Sequence, residues 1–144
     1  MGLLFPRNLF AAPLLVLQAT TRSSVPFANE LASLSASGAL EVQVFLSRED
    51  YAPDFSSGQP LWVPAKRGYC SKALVQEGQL RARITRELGH DGVGYMYVCS
   101  SGGFAKSLME SVTHVLGQKN TEIMTANGRL SIEVIAVFLT NKGY

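Results

Sequence analysis

The stretch YMYVCSSGGFAKSLMESVTHVLG, residues 95–117, determines the fold class expected of this chain. Residues 95–99 are a continuous apolar run of strand length. A turn of small residues follows at 100–103, and apolar side chains then recur at helical spacing: Phe104, Ala105, Leu108, Met109, Val112, Val115 and Leu116. A strand, a tight turn and an amphipathic helix are half of a parallel βαβ unit, so the stretch predicts an α/β fold.

The remaining segments extend the same alternation. Residues 14–18 and 41–46 are predicted strands, the second because β-branched residues alternate along it. Residues 26–37 and 71–88 are predicted helices, with Gly78 breaking the second or marking its start. The stretch 50–64 is rich in Pro, Ser and Gly, which predicts a loop. Residues 130–139 fit either a strand or a helix.

The N-terminal residues 1–19 allow two interpretations. Arg7 followed by an apolar run and small residues is the outline of a secretory signal. However, Pro6 and Pro13 interrupt the run, and Gln18 stands where a small residue is preferred. We therefore favour a buried strand and expect a cytoplasmic chain, with an exported or organellar location as the alternative. The run is too short to span a bilayer, so no membrane segment is expected.

Composition excludes several classes of protein. The chain has 144 residues, of which 47% are apolar and 17% charged, so it can bury enough surface to avoid disorder. The net charge is +2 and no basic run occurs, which argues against a nucleic-acid partner. The two cysteines, Cys70 and Cys99, and the two histidines show no metal-ligand spacing, so no metal site is expected.

Ser47 and Arg48 follow the strand at 41–46. Open α/β sheets bind ligands outside the carboxyl ends of their strands. A guanidinium presents a fork of donors and a hydroxyl adds one more, so the pair suits a phosphate group. The alternative is a solvated charge at a strand end.

Two further groups could contribute to a site. Cys99 ends the strand at 95–99, where it is either a reactive thiol or a buried small apolar residue. Arg67 and Tyr69, with Lys66 beside them, could bind a nucleotide through the ring and the cations. Taken singly, such cations are more often ordinary surface charges.

Several segments in chain order resemble a known family. LLVLQ (14–18), EVQVFLSRED (41–50), RGYCS (67–71), YVCSS (97–101) and FLTNKGY (138–144) are similar to its strands and motifs. The family motifs are Phe-Ser-Arg-Asp/Glu, Lys-x-Tyr-Val-Gln, Tyr-Val-Cys-Gly-Asp and Met-Thr-Lys-Gly-Arg-Tyr. The family is the NADP-binding domain of the diflavin reductases, in the ferredoxin–NADP reductase superfamily. It includes NADPH–haemoprotein reductases, the sulfite reductase flavoprotein and the reductase half of nitric oxide synthase.

The resemblance implies a partial doubly wound, Rossmann-like parallel sheet. Residues 12–144 would form a partial NADP-binding domain after a divergent segment, 1–11, and residues 131–141 would be a helix. The cofactor implied is NADPH, from which hydride passes to FAD. The site residues carried over follow the family motifs: Ser47, Arg48 and Arg67 on the adenosine 2′-phosphate, Tyr69 on the adenine side, and Cys99 beside the nicotinamide.

The chain also departs from the family pattern. Ser100-Ser101 stands in place of Gly-Asp, and Ser71 in place of a Gln. The Gly-Pro-Gly-Thr-Gly turn and the Arg-x-Tyr-Ser motif of the FAD-binding barrel are not found in the sequence. We therefore expect a domain truncated at both ends. It would need a flavin-binding domain or chain, which carries the FAD and FMN, and a redox acceptor protein, and would be inactive alone. The alternative is a degenerate, non-catalytic interaction domain.

Overall fold

The computed structural model describes residues 12–100 and 102–134. The chain divides after Cys70 into two compact units. The segment 1–11 and the motif at 138–144 lie outside the described residues, so the predictions made for them stay predictions.

The first unit opens with a parallel βαβ arrangement. Strand β1 (Leu14–Ala19) is followed by a 3-10 turn (Arg22–Ser24), helix α1 (Ala28–Ala36) and strand β2 (Glu41–Leu46). The two strands pair in parallel from Leu14 opposite Glu41 to Ala19 opposite Leu46. The strand predicted at 41–46 is confirmed residue for residue, because alternating Val42, Val44 and Leu46 match the two-residue period of a strand.

An apolar cluster helps to hold the first unit together. Its buried members come from the turn, α1, β2 and the chain after β2: Val25, Leu31, Ala32, Val44, Leu46 and Phe55. Leu15 and Leu17 of β1 pack against it, as does Trp62. Because both strands contribute to this cluster, the carboxyl ends of β1 and β2 are held side by side.

The loop predicted at 50–64 is wrong. Strands β3 (Tyr51–Asp54) and β4 (Leu61–Pro64) pair there as an antiparallel hairpin. Prolines in this stretch weaken the sequence signal for a strand. They do not prevent pairing, because proline is tolerated in short edge strands. The Asp54 carboxylate closes the turn by accepting hydrogen bonds from the Ser56 N–H (3.0 Å) and hydroxyl (2.6 Å).

The second unit is also built on a parallel strand pair. After α2 (Cys70–Val75), the chain forms α3 (Gln79–Leu88), β5 (Met96–Ser100), α4 (Gly102–Leu116), α5 (Gln118–Ala126) and β6 (Leu130–Val134). The segment 71–88 is thus two helices, and Gly78 caps the start of α3. β5 and β6 pair in parallel, with α4 and α5 between them in the chain.

The helix implied for 131–141 is wrong over residues 131–134. Strand β6 begins at Leu130 opposite Met96 and pairs with β5 as far as Val134. Its backbone groups therefore belong to a sheet ladder. The strand interpretation of 130–139 holds for its described part.

The α/β class is confirmed. The described strands form three two-stranded sheets, of which β1–β2 and β5–β6 are parallel. The apolar core cluster of the second unit contains Leu88, Met124 and Leu130. Within residues 12–100 and 102–134, no helix is long and apolar enough to cross a membrane.

Gly92 and Gly103 offer a matched test of this packing. A Cβ at Gly92 would clash with the backbone oxygen of Glu87, whereas one at Gly103 meets nothing within 4 Å. We expect Gly92→Ala to lower the free energy of unfolding by about 1–3 kcal/mol, as overpacking does. Gly103→Ala should leave it unchanged or raise it by up to about 1 kcal/mol, since Ala favours helix. Urea unfolding measures both, and equal losses would contradict the packing described.

Candidate functional site

A cleft of about 480 Å³ opens at the carboxyl ends of β1 and β2 in the first unit. This is the position at which open parallel sheets bind ligands. Its walls come from the ends of the two strands, the 3-10 turn and the chain before α2: Gln18, Ala19, Thr20, Ser24, Ser47, Arg48 and Tyr69.

Backbone hydrogen bonds join the chain after β1 to the chain after β2 beyond the ends of the two strands. The Ser47 N–H donates to the Ala19 carbonyl and the Arg48 N–H donates to the Thr20 carbonyl, each at 2.9 Å. The chain after β2 therefore stays in register with the chain after β1. This register places Ser47 and Arg48 beside Thr20.

The Gln18 carboxamide connects three segments of the cleft. Its Nε2 donates to the carbonyls of Phe45 and Gly68, both at 3.1 Å, and its Oε1 accepts from the Cys70 N–H at 2.8 Å. The Gly68 N–H donates in turn to the Leu46 carbonyl at 2.8 Å. The segment that carries Tyr69 is thereby fixed at the strand ends.

Two consecutive acids after Arg48 form ion pairs. Glu49 accepts from the Arg22 backbone N–H at 2.7 Å and from its guanidinium at 3.2 Å. Asp50 binds Arg67 in the same way, with distances of 3.0–3.1 Å. The hydrogen bonds from Arg22 lower the pKa of Glu49, and those from Arg67 lower the pKa of Asp50 to about 2.

Arg48 differs from Arg22 and Arg67 in its surroundings. Its side chain is exposed and forms no ion pair with the described residues. Among the described residues that line the cleft, Arg48 is the one cation and none is a carboxylate. The hydroxyls of Thr20 and Ser24 lie 3.1 Å apart at the same cleft. A guanidinium with several hydroxyls suits a phosphate group.

The structure brings three of the sequence-predicted site residues together. Ser47, Arg48 and Tyr69 line one cleft, and the Tyr69 side chain is about half exposed, at 48%. Arg67 is not among the lining residues, and its guanidinium is bound to Asp50. Cys99 lies on β5 in the second unit, where it is exposed and opposite Glu133.

The environment of Cys99 includes a perturbed tyrosine. Tyr97 precedes Cys99 by two residues, so both side chains project from the same face of β5. A hydrogen bond to the Glu133 carboxylate raises the pKa of Tyr97 to about 12, with burial and nearby negative charge adding to the effect. The Tyr97 phenol therefore stays protonated near neutral pH.

Sequence reasoning missed Gln18, Thr20 and Ser24 as site residues. Gln18 carried a signal, because a polar residue that ends an apolar strand marks the edge where ligands bind. Thr20 and Ser24 carried none, since isolated hydroxyl residues in a turn are common.

Comparisons of the chain with protein-family models, with curated proteins and with solved structures find no match.

The hydrogen bonds that join the Gln18 side chain to Phe45, Gly68 and Cys70 predict a measurable effect on stability. Gln18→Ala should lower the free energy of unfolding by about 1–3 kcal/mol, because the Cys70 N–H and two carbonyls lose their partner. Gln43→Ala in β2 is the matched control, since the Gln43 side chain forms no hydrogen bond with the described residues. Urea unfolding of the two variants checks the difference. Similar losses would contradict the role given to Gln18.

The Asp50–Arg67 pair predicts a pH dependence. Asp50 has a folded-state pKa of about 2 against an ordinary value of 3.8. A lowered folded-state pKa gives stability that is present above the ordinary value and is lost as pH falls through the folded-state value. Asp50→Asn should therefore be less stable than wild type near neutral pH, and the difference should vanish by about pH 2. A difference that is constant across this range would contradict the ion pair.

Proposed function

We propose that the chain is the NADPH-binding module of a flavoprotein oxidoreductase. In this proposal Ser47 and Arg48 hold the adenosine 2′-phosphate, and Tyr69 covers the adenine side. The observation that carries it is the guanidinium of Arg48, which forms no ion pair with the described residues and lies in a hydroxyl-lined cleft at the ends of two parallel strands.

The cleft residues fit this part of the cofactor. A phosphate monoester needs charge-assisted hydrogen bonds, which Arg48 and the hydroxyl of Ser47 can donate. The Thr20 hydroxyl adds a donor that the resemblance did not indicate, whereas the Ser24 hydroxyl donates to the Thr21 carbonyl. A partly exposed tyrosine ring offers an apolar face to a planar base. Because Arg67 is paired with Asp50, it can neutralise less of the phosphate's charge.

The chemistry belongs to the cofactors. NADPH would supply a hydride to FAD in a flavin-binding domain or chain, and the electrons would then pass through FMN to a redox acceptor protein. A Rossmann-like, doubly wound sheet is part of the proposal, and two parallel strand pairs joined by helices are compatible with it. Cys99 is placed beside the nicotinamide on the family resemblance alone.

A second candidate is a non-catalytic interaction domain. Val93, Tyr95 and Tyr97 are 80%, 79% and 61% exposed, and Cys99 follows them at the same two-residue spacing. Tyr97 and Cys99 lie on β5 and Val93 and Tyr95 directly precede it. Parallel sheets usually have both faces covered, so this exposed row favours contact with another protein.

Titration calorimetry with 2′,5′-ADP distinguishes the two candidates. We expect the wild-type chain to bind 2′,5′-ADP and not 5′-AMP, because only the former carries the 2′-phosphate. Arg48→Ala should weaken binding about ten- to a hundredfold, which corresponds to about 1.5–3 kcal/mol for hydrogen bonds to a charged group. Arg67→Ala should have a smaller effect, since Arg67 is held by Asp50.

Arg86→Ala is the control for the change in net charge. Arg86 lies on α3, pairs with its neighbour Glu87 and does not line the cleft. The Arg86→Ala variant should bind 2′,5′-ADP with the affinity of the wild-type chain. A folded chain that does not bind 2′,5′-ADP would remove the NADPH proposal and favour the interaction domain.

A further inference from the structure

The two rims of the cleft are joined by an ion pair that does not itself line the cleft. One rim is the chain after β1, residues 20–24, and the other is the chain after β2, residues 47–49. Arg22 lies between Thr20 and Ser24, which line the cleft, and Glu49 directly follows Arg48, which also lines it. The link between the rims therefore sits one residue behind the groups that would contact a ligand.

The contacts of this pair are well formed for a partly exposed site. Glu49 Oε1 accepts from the Arg22 backbone N–H at 2.7 Å and from its Nε at 3.2 Å, while Oε2 accepts from the second guanidinium nitrogen at 3.2 Å. The Arg22 guanidinium also lies 3.9 Å from the centre of the Tyr51 ring. Contact with an aromatic face and a two-point carboxylate bond restrict both side chains to one geometry.

Among the described residues, one backbone hydrogen bond joins Arg48 itself to the opposite rim. It runs from the Arg48 N–H to the Thr20 carbonyl at 2.9 Å. Arg22 is the first residue of the 3-10 turn. The Ser24 hydroxyl holds this turn internally, because it accepts from the Thr21 N–H and donates to the Thr21 carbonyl. Without Glu49, the turn would keep its shape but lose its side-chain attachment to the β2 rim.

We propose that Arg22 and Glu49 are positioning residues for the cleft, which hold the two rims in the register that presents Arg48 to a phosphate monoester. This proposal rests on the proposed function for its ligand. Glu49 is an anion beside a site for an anion, so its carboxylate alone would weaken binding. Arg22 neutralises that charge, and the pair contributes order to the rim at no net charge.

The test uses Glu49→Ala, Glu49→Gln and the control Asp54→Ala in the full chain. Gln is nearly the same shape as Glu and keeps an oxygen that accepts from the Arg22 N–H, so it retains the rim contact without the charge. Asp54 is a carboxylate of the same unit whose hydrogen bonds stay within the hairpin turn. Two readouts are needed: affinity for 2′,5′-ADP by calorimetry, and amide hydrogen exchange of Arg48 against the middle of β2.

We expect Glu49→Ala to weaken 2′,5′-ADP binding about tenfold, which corresponds to about 1.4 kcal/mol. Glu49→Gln should stay within about threefold of wild type, and Asp54→Ala should match wild type. Exchange at the Arg48 amide should accelerate in Glu49→Ala while exchange in the middle of β2 is unchanged, because the rim opens locally.

Several results would overturn the proposal. Tighter or unchanged binding in Glu49→Ala would show that Glu49 acts only as a repulsive charge or not at all. If Glu49→Gln loses as much affinity for 2′,5′-ADP as Glu49→Ala does, the pair does not act through the geometry of the rim. If the wild-type chain does not bind 2′,5′-ADP, the proposed function fails. The exchange rate of the Arg48 amide then decides the positioning role separately, and an unchanged rate would remove it.

Discussion

The side-chain amide of Gln18 is the constraint on which the first unit's cleft depends. Gln18 is the last residue but one of β1, and hydrogen bonds of its side chain reach Phe45 of β2 and the backbone at Gly68 and Cys70. A donor and an acceptor on one planar group satisfy backbone groups from segments far apart in the chain. The strand ends and the segment before α2 can therefore meet around a polar cleft without leaving these backbone groups unpaired.

The four residues after β2 divide into two functional pairs. Ser47 and Arg48 line the cleft, whereas Glu49 and Asp50 bind Arg22 and Arg67. Arg22 and Arg67 are thus neutralised, whereas Arg48 forms no ion pair with the described residues. The Ser-Arg-Glu-Asp sequence consequently supplies both residues that line the cleft and the ion pairs that hold the neighbouring segments in place.

The sequence predicted the parts of this structure that depend on local pattern. β2 and α4 were clear because their apolar residues follow the strand and helix periods without interruption. The β3–β4 hairpin was missed because Pro53, Pro60 and Pro64 dominate its composition. α5 was missed because it buries only Thr121 and Met124. Ser47, Arg48 and Tyr69 could be grouped from strand ends, but the Asp50–Arg67 and Gln18–Cys70 contacts join residues far apart in sequence, which no local pattern reveals.

The central claim is that the cleft at the ends of β1 and β2 binds the phosphorylated adenosine. Backbone NMR of the labelled chain during a titration with 2′,5′-ADP tests it most directly, because it locates the ligand residue by residue. The account predicts saturable shifts concentrated at Thr20, Ser24, Ser47, Arg48 and Tyr69. Shifts concentrated instead on the second unit, for example at the α2–α4 cleft lined by Lys72 and His114, or no shifts at all, would contradict it.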